Sequence, residues 1–250
     1  MNYIPSEVIA EESKKIIENG DKKGIVLRLM GACAVEAHCP KFKHWWRNEL
    51  KRELTDIDIA TYGKFRSQVK DLLDELGYKP KKMLMMDETY RWRDIYIKED
   101  TGLVVDVFYD KLDMCHTINF AGRLEIDYPT IPLAELLLEK GQIVKITEKD
   151  IKDIIVLIKE HEIGEDDRDK INVNYISKVL SKDWGFYYTL TTNLNKVRKL
   201  LRSYSSREDN IIDVDDKIAK LLDRIEKEPK SLQWKLRAKL GTTIKWYREV

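Results

Sequence analysis

The pattern of the chain changes near residue 131, and that change limits what it can fold into. Before it, short alternating or continuous apolar runs stand between a few helical stretches. After Pro132, apolar residues recur at helical spacing over 133–145, 148–161, 173–182, 185–204, 213–227 and 231–247, punctuated by Gly164, Gly185 and Pro229. The reading is an α/β half, residues 1–131, followed by a helical half, residues 132–250, with no flexible linker, internal repeat or low-complexity tract.

Within the first half, Ser6 is placed to cap a helix whose Val8, Ile9, Ile16 and Ile17 share a face and which Gly20 is placed to end. Residues 24–30 read as a buried strand broken by Gly31, and Ala32 to His38 as a short helix stopped by Pro40. Asp56 to Ala60 alternates polar and apolar as a half-buried strand does. Phe65, Val69, Leu72, Leu73 and Leu76 mark a helix closed by Gly77. Strands are expected at Met83–Met86, Tyr90–Ile97 and Leu103–Phe108.

Of the 250 residues, 43% are hydrophobic and 36% charged, a globular composition that excludes a disordered, collagenous or fibrous chain. The stretch from Gly24 to Val35 is interrupted by Arg28 and falls short of the ~18 apolar residues of a membrane span. Glu7, Glu11 and Glu12 stand where a secretory signal would carry cations, and three cysteines without a pairing pattern suit a reducing compartment, so the cytoplasm is expected. The net charge of +1 conceals an asymmetry: residues 178–250 hold 17 Lys+Arg against 10 Asp+Glu. That basic third suits either an ordinary solvated surface or a nucleic-acid partner.

Asp56 and Asp58, two apart on a strand, leave the same face while Ile57 and Ile59 take the other. Like charges so close repel unless a cation lies between them, and oxygen-only ligands suit Mg²⁺ or Mn²⁺. Asp106 interrupts an apolar strand, where a carboxylate requires a partner. Either it joins the other two around divalent ions, or it pairs with Arg91 or Arg93 of the preceding strand. Gly31, between strand and helix, allows a phosphate to approach free backbone N–H groups.

The segment 41–54 interleaves Lys41, Lys43, Arg47, Lys51 and Arg52 with His44, Trp45 and Trp46, which suits phosphates and stacked bases, or else core packing with solvated cations. Lys140 falls inside the apolar stripe of the helix after Pro132 and requires an anion, either a nucleotide phosphate or a carboxylate such as Asp150 or Asp153. Thr147 to Asp150 is a capping box, with Asp153 one turn on. His38, Cys39, His44, Cys33, Cys115 and His116 show no structural zinc spacing, and His116 reads best as a hydrogen-bonded structural histidine. Walker, nucleophile-elbow and dinucleotide glycine patterns are absent.

Leu29-Met30-Gly31-Ala32, then Asp56-Ile57-Asp58-Ile59, then Val105-Asp106-Val107 resembles the three-part active site of the polymerase-β-type nucleotidyltransferase superfamily. Leu136-Leu137-x-x-Lys140 followed by Lys149-Asp150-x-x-Asp153 is similar to its AbiEii-like toxin branch. Ala32 stands where that pattern has a second glycine or serine, and the Gly31–Asp56 spacing is longer. The resemblance implies a mixed sheet flanked by helices, a helical C-terminal domain, and a cleft holding the site. It further implies Mg²⁺-dependent transfer of a nucleoside monophosphate from an NTP to an acceptor hydroxyl. In it, Asp56, Asp58 and Asp106 hold metal and catalyse, Gly31, Ala32, Lys140 and Arg47 contact the nucleotide, and Asp150 and Asp153 support the site. An RNA or tRNA end is the favoured acceptor, an antitoxin protein a candidate partner, and no membrane is involved. The rival reading is a nucleotide- or RNA-binding module of the same fold that has lost catalysis.

Overall fold

The computed structural model describes residues 3–81, 91–204 and 208–249, and the strand expected at Met83–Met86 lies outside them. The chain divides into two compact units, one of residues 1–38, 53–113 and 117–132, the other of residues 39–52, 114–116 and 133–250. The second unit therefore takes two short segments from within the α/β half.

The first unit is a five-stranded mixed sheet with helices α1 (Ser6–Lys22), α2 (Gly31–His38) and α3 (Arg66–Glu75). Its strands are β1 (Leu27–Met30), β2 (Ile57–Thr61), β3 (Tyr78–Pro80), β4 (Arg93–Lys98) and β5 (Val104–Tyr109), in the order β1-β2-β5-β4-β3. The pair β2 and β5 is parallel; the other neighbours are antiparallel. A small hairpin follows, β6 (Lys111–Asp113) and β7 (Thr117–Asn119).

Alternation along these strands makes one face of the sheet largely apolar, with Asp94 and Lys98 of β4 toward its edge. Leu27, Leu29, Ile57, Ile59, Val105, Val107, Tyr109, Tyr96 and Tyr78 are all buried there, and α1 and α3 bring Ile9, Ile16, Ile17, Val69, Leu72 and Leu73 to the same core. Each such aliphatic side chain contributes about 1.5–3 kcal/mol by leaving water. The opposite face carries Arg28, Asp58, Asp106 and Arg93, so the sheet itself sorts chemistry from core.

Two local expectations are corrected. Ser6 does not cap α1: Pro5 precedes the helix, and the Ser6 hydroxyl instead accepts the Leu54 N–H at 3.0 Å. Gly20 does not end α1, which runs to Lys22; a Cβ on Gly20 would collide with Leu27, so the glycine permits close helix–strand packing.

In the second unit, α4 (Leu133–Gly141), α5 (Glu148–Glu160), α6 (Val173–Leu180), α7 (Trp184–Tyr204), α8 (Glu208–Lys227) and α9 (Leu232–Leu240) pack around Leu136, Leu137, Ile154, Leu157, Ile176, Leu190, Leu194, Ile218 and Leu221. Gly141, where α4 ends short of the expected 145, lets α7 approach so closely that any side chain there would strike Leu190. The last helix stops at Leu240 because Gly241 adopts φ +53°. The parallel pair β8 (Glu162–Gly164) and β9 (Lys170–Asn172) was not expected; three-residue strands carry no readable period.

Candidate active site

The register of the sheet brings the proposed acids together. Met30 pairs with Asp58 across β1 and β2, and Asp58 pairs with Asp106 across β2 and β5, so the two carboxylates stand on adjacent strands and on one face. Gly31 follows Met30 directly, opens α2 and adopts φ +62°. A Cβ there would collide with the Asp58 carboxylate, so a glycine lets that acid and the start of α2 approach this closely. Ala32 is the next helical residue and is buried.

Asp56 lies just before β2, its Oδ1 accepting the Thr55 hydroxyl at 3.0 Å. The Cys33 thiol, on α2, donates to the Asp56 carbonyl at 3.5 Å. Burial pushes that thiol far above its ordinary range, and the charges of Asp58, Asp56 and Glu36 add to the effect. Negative charge from both members of the D-x-D thus gathers beside α2, a link the sequence did not signal.

Asp106 is 7% exposed. Its Oδ2 accepts from Arg93 Nη2 at 2.7 Å, the pairing weighed above against a metal role, and the guanidinium lies 5.3 Å from the centre of the Phe108 ring. Oδ1 of Asp106 and Nε of Arg93 are buried without a hydrogen-bond partner among the described residues. One buried acceptor is therefore left over at the centre of the site, and such atoms are costly to leave unmatched.

Among the described residues no three His, Cys, Asp or Glu side chains are gathered as a formed metal centre. Arg93 instead supplies the counter-charge at Asp106. The donor chemistry nevertheless fits a hard divalent cation: oxygen ligands only, an unmatched Asp106 Oδ1, and a glycine cradle over Asp58.

The remaining candidates belong to the second unit. Lys140, 7% exposed, has its ammonium 3.3 Å from Asp153 Oδ2 and 3.5 Å from Glu139 Oε1. Asp153 is fully buried and also accepts Arg52 Nε at 2.9 Å, Arg52 Nη2 at 3.0 Å and the Trp46 indole N–H at 3.1 Å. Asp150 closes the capping box with Thr147, as its spacing indicated. Arg47 donates to the Arg52 carbonyl at 2.9 Å.

Of the two readings open for the segment 41–54, core packing holds for Trp46, while Arg52 is neither solvated nor open to a phosphate. Trp46 is wholly buried, and Arg52 is buried on Asp153. Their burial depends on a carboxylate about a hundred residues away, for which the local sequence holds no signal.

His116 is structural in its surroundings, stacked on Phe186 at 4.8 Å with Nε2 2.8 Å from the Thr189 hydroxyl. Burial lowers its pKa from the ordinary 6.5 to about 4, with Arg248 acting in the same direction and Asp183 opposing. Between those values the unfolded chain binds a proton that the folded chain refuses. The contribution to stability is complete above pH 6.5 and declines as the pH falls toward 4. Denaturation curves across that window will show wild type losing more stability than His116→Phe, which keeps the stack and cannot titrate; parallel losses would remove His116 as the cause.

No protein-family model matches the chain, and no curated protein matches it. Solved structures show a distant likeness. The antibiotic-resistance factor ANT(2'')-Ia in solution is 13% identical with a TM-score of 0.44 over 70% of this chain and 95% of that one. An antigenic nucleotidyltransferase-like protein from Paracoccidioides brasiliensis is 13% identical with a TM-score of 0.43 over 91% and 96%. JHP933 from Helicobacter pylori is 14% identical with a TM-score of 0.39 over 92% and 96%. At these values the likenesses assign this chain neither a substrate nor a reaction.

Proposed function

We propose that the chain is a nucleotidyltransferase of the polymerase-β type, which moves a nucleoside monophosphate from an NTP to an acceptor hydroxyl and releases pyrophosphate. The observation that carries this reading is the single register line from Met30 through Asp58 to Asp106, with Gly31 opening a helix at its end. Asp56 and Asp58, with Asp106, would hold Mg²⁺ or Mn²⁺, and a bound ion would offset the charge of the triphosphate. The backbone N–H groups of Gly31 and Ala32 at the start of α2 orient phosphate oxygens. Asp106 Oδ1, unmatched among the described residues, accepts the proton of the attacking hydroxyl as that oxygen bonds to the α-phosphorus and the bond to pyrophosphate breaks.

An RNA end, tRNA included, is the acceptor this reading favours, because residues 178–250 carry an excess of cations. The likeness of residues 136–153 to the AbiEii-like branch extends the reading to an antitoxin protein as partner. A binding module without catalysis is favoured by one observation, the Arg93–Asp106 pair, which occupies the acid that the reaction needs. Incubation with each α-labelled NTP, Mg²⁺ and total RNA or small-molecule acceptors separates the two. Label is expected on RNA, and nucleotide binding without any transferred label would establish the binding module instead.

A further inference from the structure

Four of the nine large apolar side chains that stand exposed among the described residues fall in one stretch of the second unit: Leu232, Leu236, Leu240 and Ile244, between 48% and 73% exposed. The three leucines are spaced by four and so form one ridge along α9, and Lys235 and Lys239, also exposed, form the ridge beside it. Scattered exposed leucines need no explanation, but a continuous row does.

The row is not a frayed end. The Ser231 hydroxyl caps α9 by accepting the Trp234 N–H at 3.1 Å, and the Ser231 N–H donates to the Ser181 carbonyl at 3.0 Å. Lys230 donates to the Glu226 and Glu228 carbonyls, where α8 ends, at 3.1 and 2.9 Å. The Trp234 ring meets Tyr187 of α7 edge-on at 5.1 Å. The Arg237 guanidinium lies 4.7 Å from the centre of the Trp184 ring and donates to the Gly241 and Ile244 carbonyls at 2.8 and 2.7 Å. One face of α9 is thus fixed on α7, no residue of the helix is buried, and the leucines are held outward. A row set in advance loses little conformational freedom on meeting a partner.

Charge then narrows what fits. Residues 230–248 hold six Lys+Arg and no Asp or Glu, and Lys235 and Lys239 have no carboxylate partner among the described residues. A second copy meeting this face through its own would set cation against cation. A lipid surface asks for cations on both flanks of the leucines, whereas the far flank carries Gln233 and an Arg237 already bonded to carbonyls. A nucleic-acid backbone would use the lysines and leave the leucines wet. A helix with an apolar groove for the leucines and a row of carboxylates beside it satisfies both ridges.

We propose that α9 is the docking helix for an acidic amphipathic helix of a partner protein, with Leu232, Leu236 and Leu240 in its apolar groove and Lys235 and Lys239 against its carboxylates. The surface does not depend on the transferase reading.

Fluorescence anisotropy with a labelled synthetic helix tests it, the peptide carrying leucine at its a and d positions and glutamate beside them. This peptide is expected to bind the full chain, more weakly as salt rises, and at least about tenfold more weakly to Leu236→Ser, an exposed change that leaves the melting temperature as it was. The double variant Lys235→Glu with Lys239→Glu is expected to lose the glutamate peptide and to take up its lysine-bearing twin. Failure of the glutamate peptide to bind, binding indifferent to Leu236, or a wild-type preference for the lysine twin would overturn the assignment. So would Leu236-dependent binding to phosphatidylglycerol vesicles in place of the peptide, which makes the row a lipid contact. Sedimentation of wild type as a dimer that Leu236→Ser renders monomeric would overturn it too, giving the row to a second copy.

Discussion

Asp58→Asn is expected to abolish nucleotidyl transfer, by about a thousandfold or more, and to leave the protein folded. Asp58 is the central acid of the register line, half-exposed between Met30 and Asp106 and cradled by Gly31. An amide of the same shape keeps the packing and removes the charge that would hold a divalent ion against a triphosphate, a loss of several kcal/mol of transition-state stabilisation. The same change relieves repulsion from Asp56 and Asp106, so without metal the melting temperature holds or rises. Labelled-nucleotide transfer and a melting curve on this one variant decide the matter. Wild-type transfer, or a variant that does not fold, would give Asp58 a structural role and remove the basis of the proposed reaction.

The parts of this site that were legible are those with a local period or a local steric requirement. Alternation placed Asp58 on one face with Ile57 and Ile59 opposite, and a glycine between strand and helix marked the cradle at Gly31, whereas Asp56, expected on the same strand, falls just before β2. The parallel partner of β2 was not legible, because β3 and β4 intervene in sequence between β2 and β5 and only pairing energetics choose among the strands. Asp106 needed a counter-charge, which Arg93 or a metal could supply, and the pairing with Arg93 is a matter of register, Arg93 facing Phe108 two pairs from Asp106 and so on the same face. The segment 41–54 left two readings open, and the structure favours packing for its tryptophans. Its composition suited phosphates and stacked bases as well as core packing, and nothing within the segment reveals that Trp46 and Arg52 converge on a buried acid of α5.

That buried acid carries the second large effect, the cost of breaking its ion cluster. Asp153, at 0% exposure, is held by a bidentate Arg52, by the Trp46 indole and by Lys140. Arg52→Met keeps much of the stem and removes two short charge-assisted hydrogen bonds, leaving the carboxylate to Lys140 at 3.3 Å and one neutral donor. The expected loss is about 3–5 kcal/mol, the range for stranding one member of a buried ion pair. Lys140→Met removes the one longer contact to Asp153, along with that to Glu139, while the Arg52 fork remains, so about 1–3 kcal/mol is expected there. The order of the two losses follows from geometry, since a fork at 2.9 and 3.0 Å outweighs one ammonium at 3.3 Å. Denaturant unfolding of both variants measures it. Near-neutral Arg52→Met would mean that the Arg52 fork does not hold Asp153 in the folded protein; Lys140→Met at full stability but with weakened NTP binding would give Lys140 to the nucleotide, one of the two roles its position in the sequence left open.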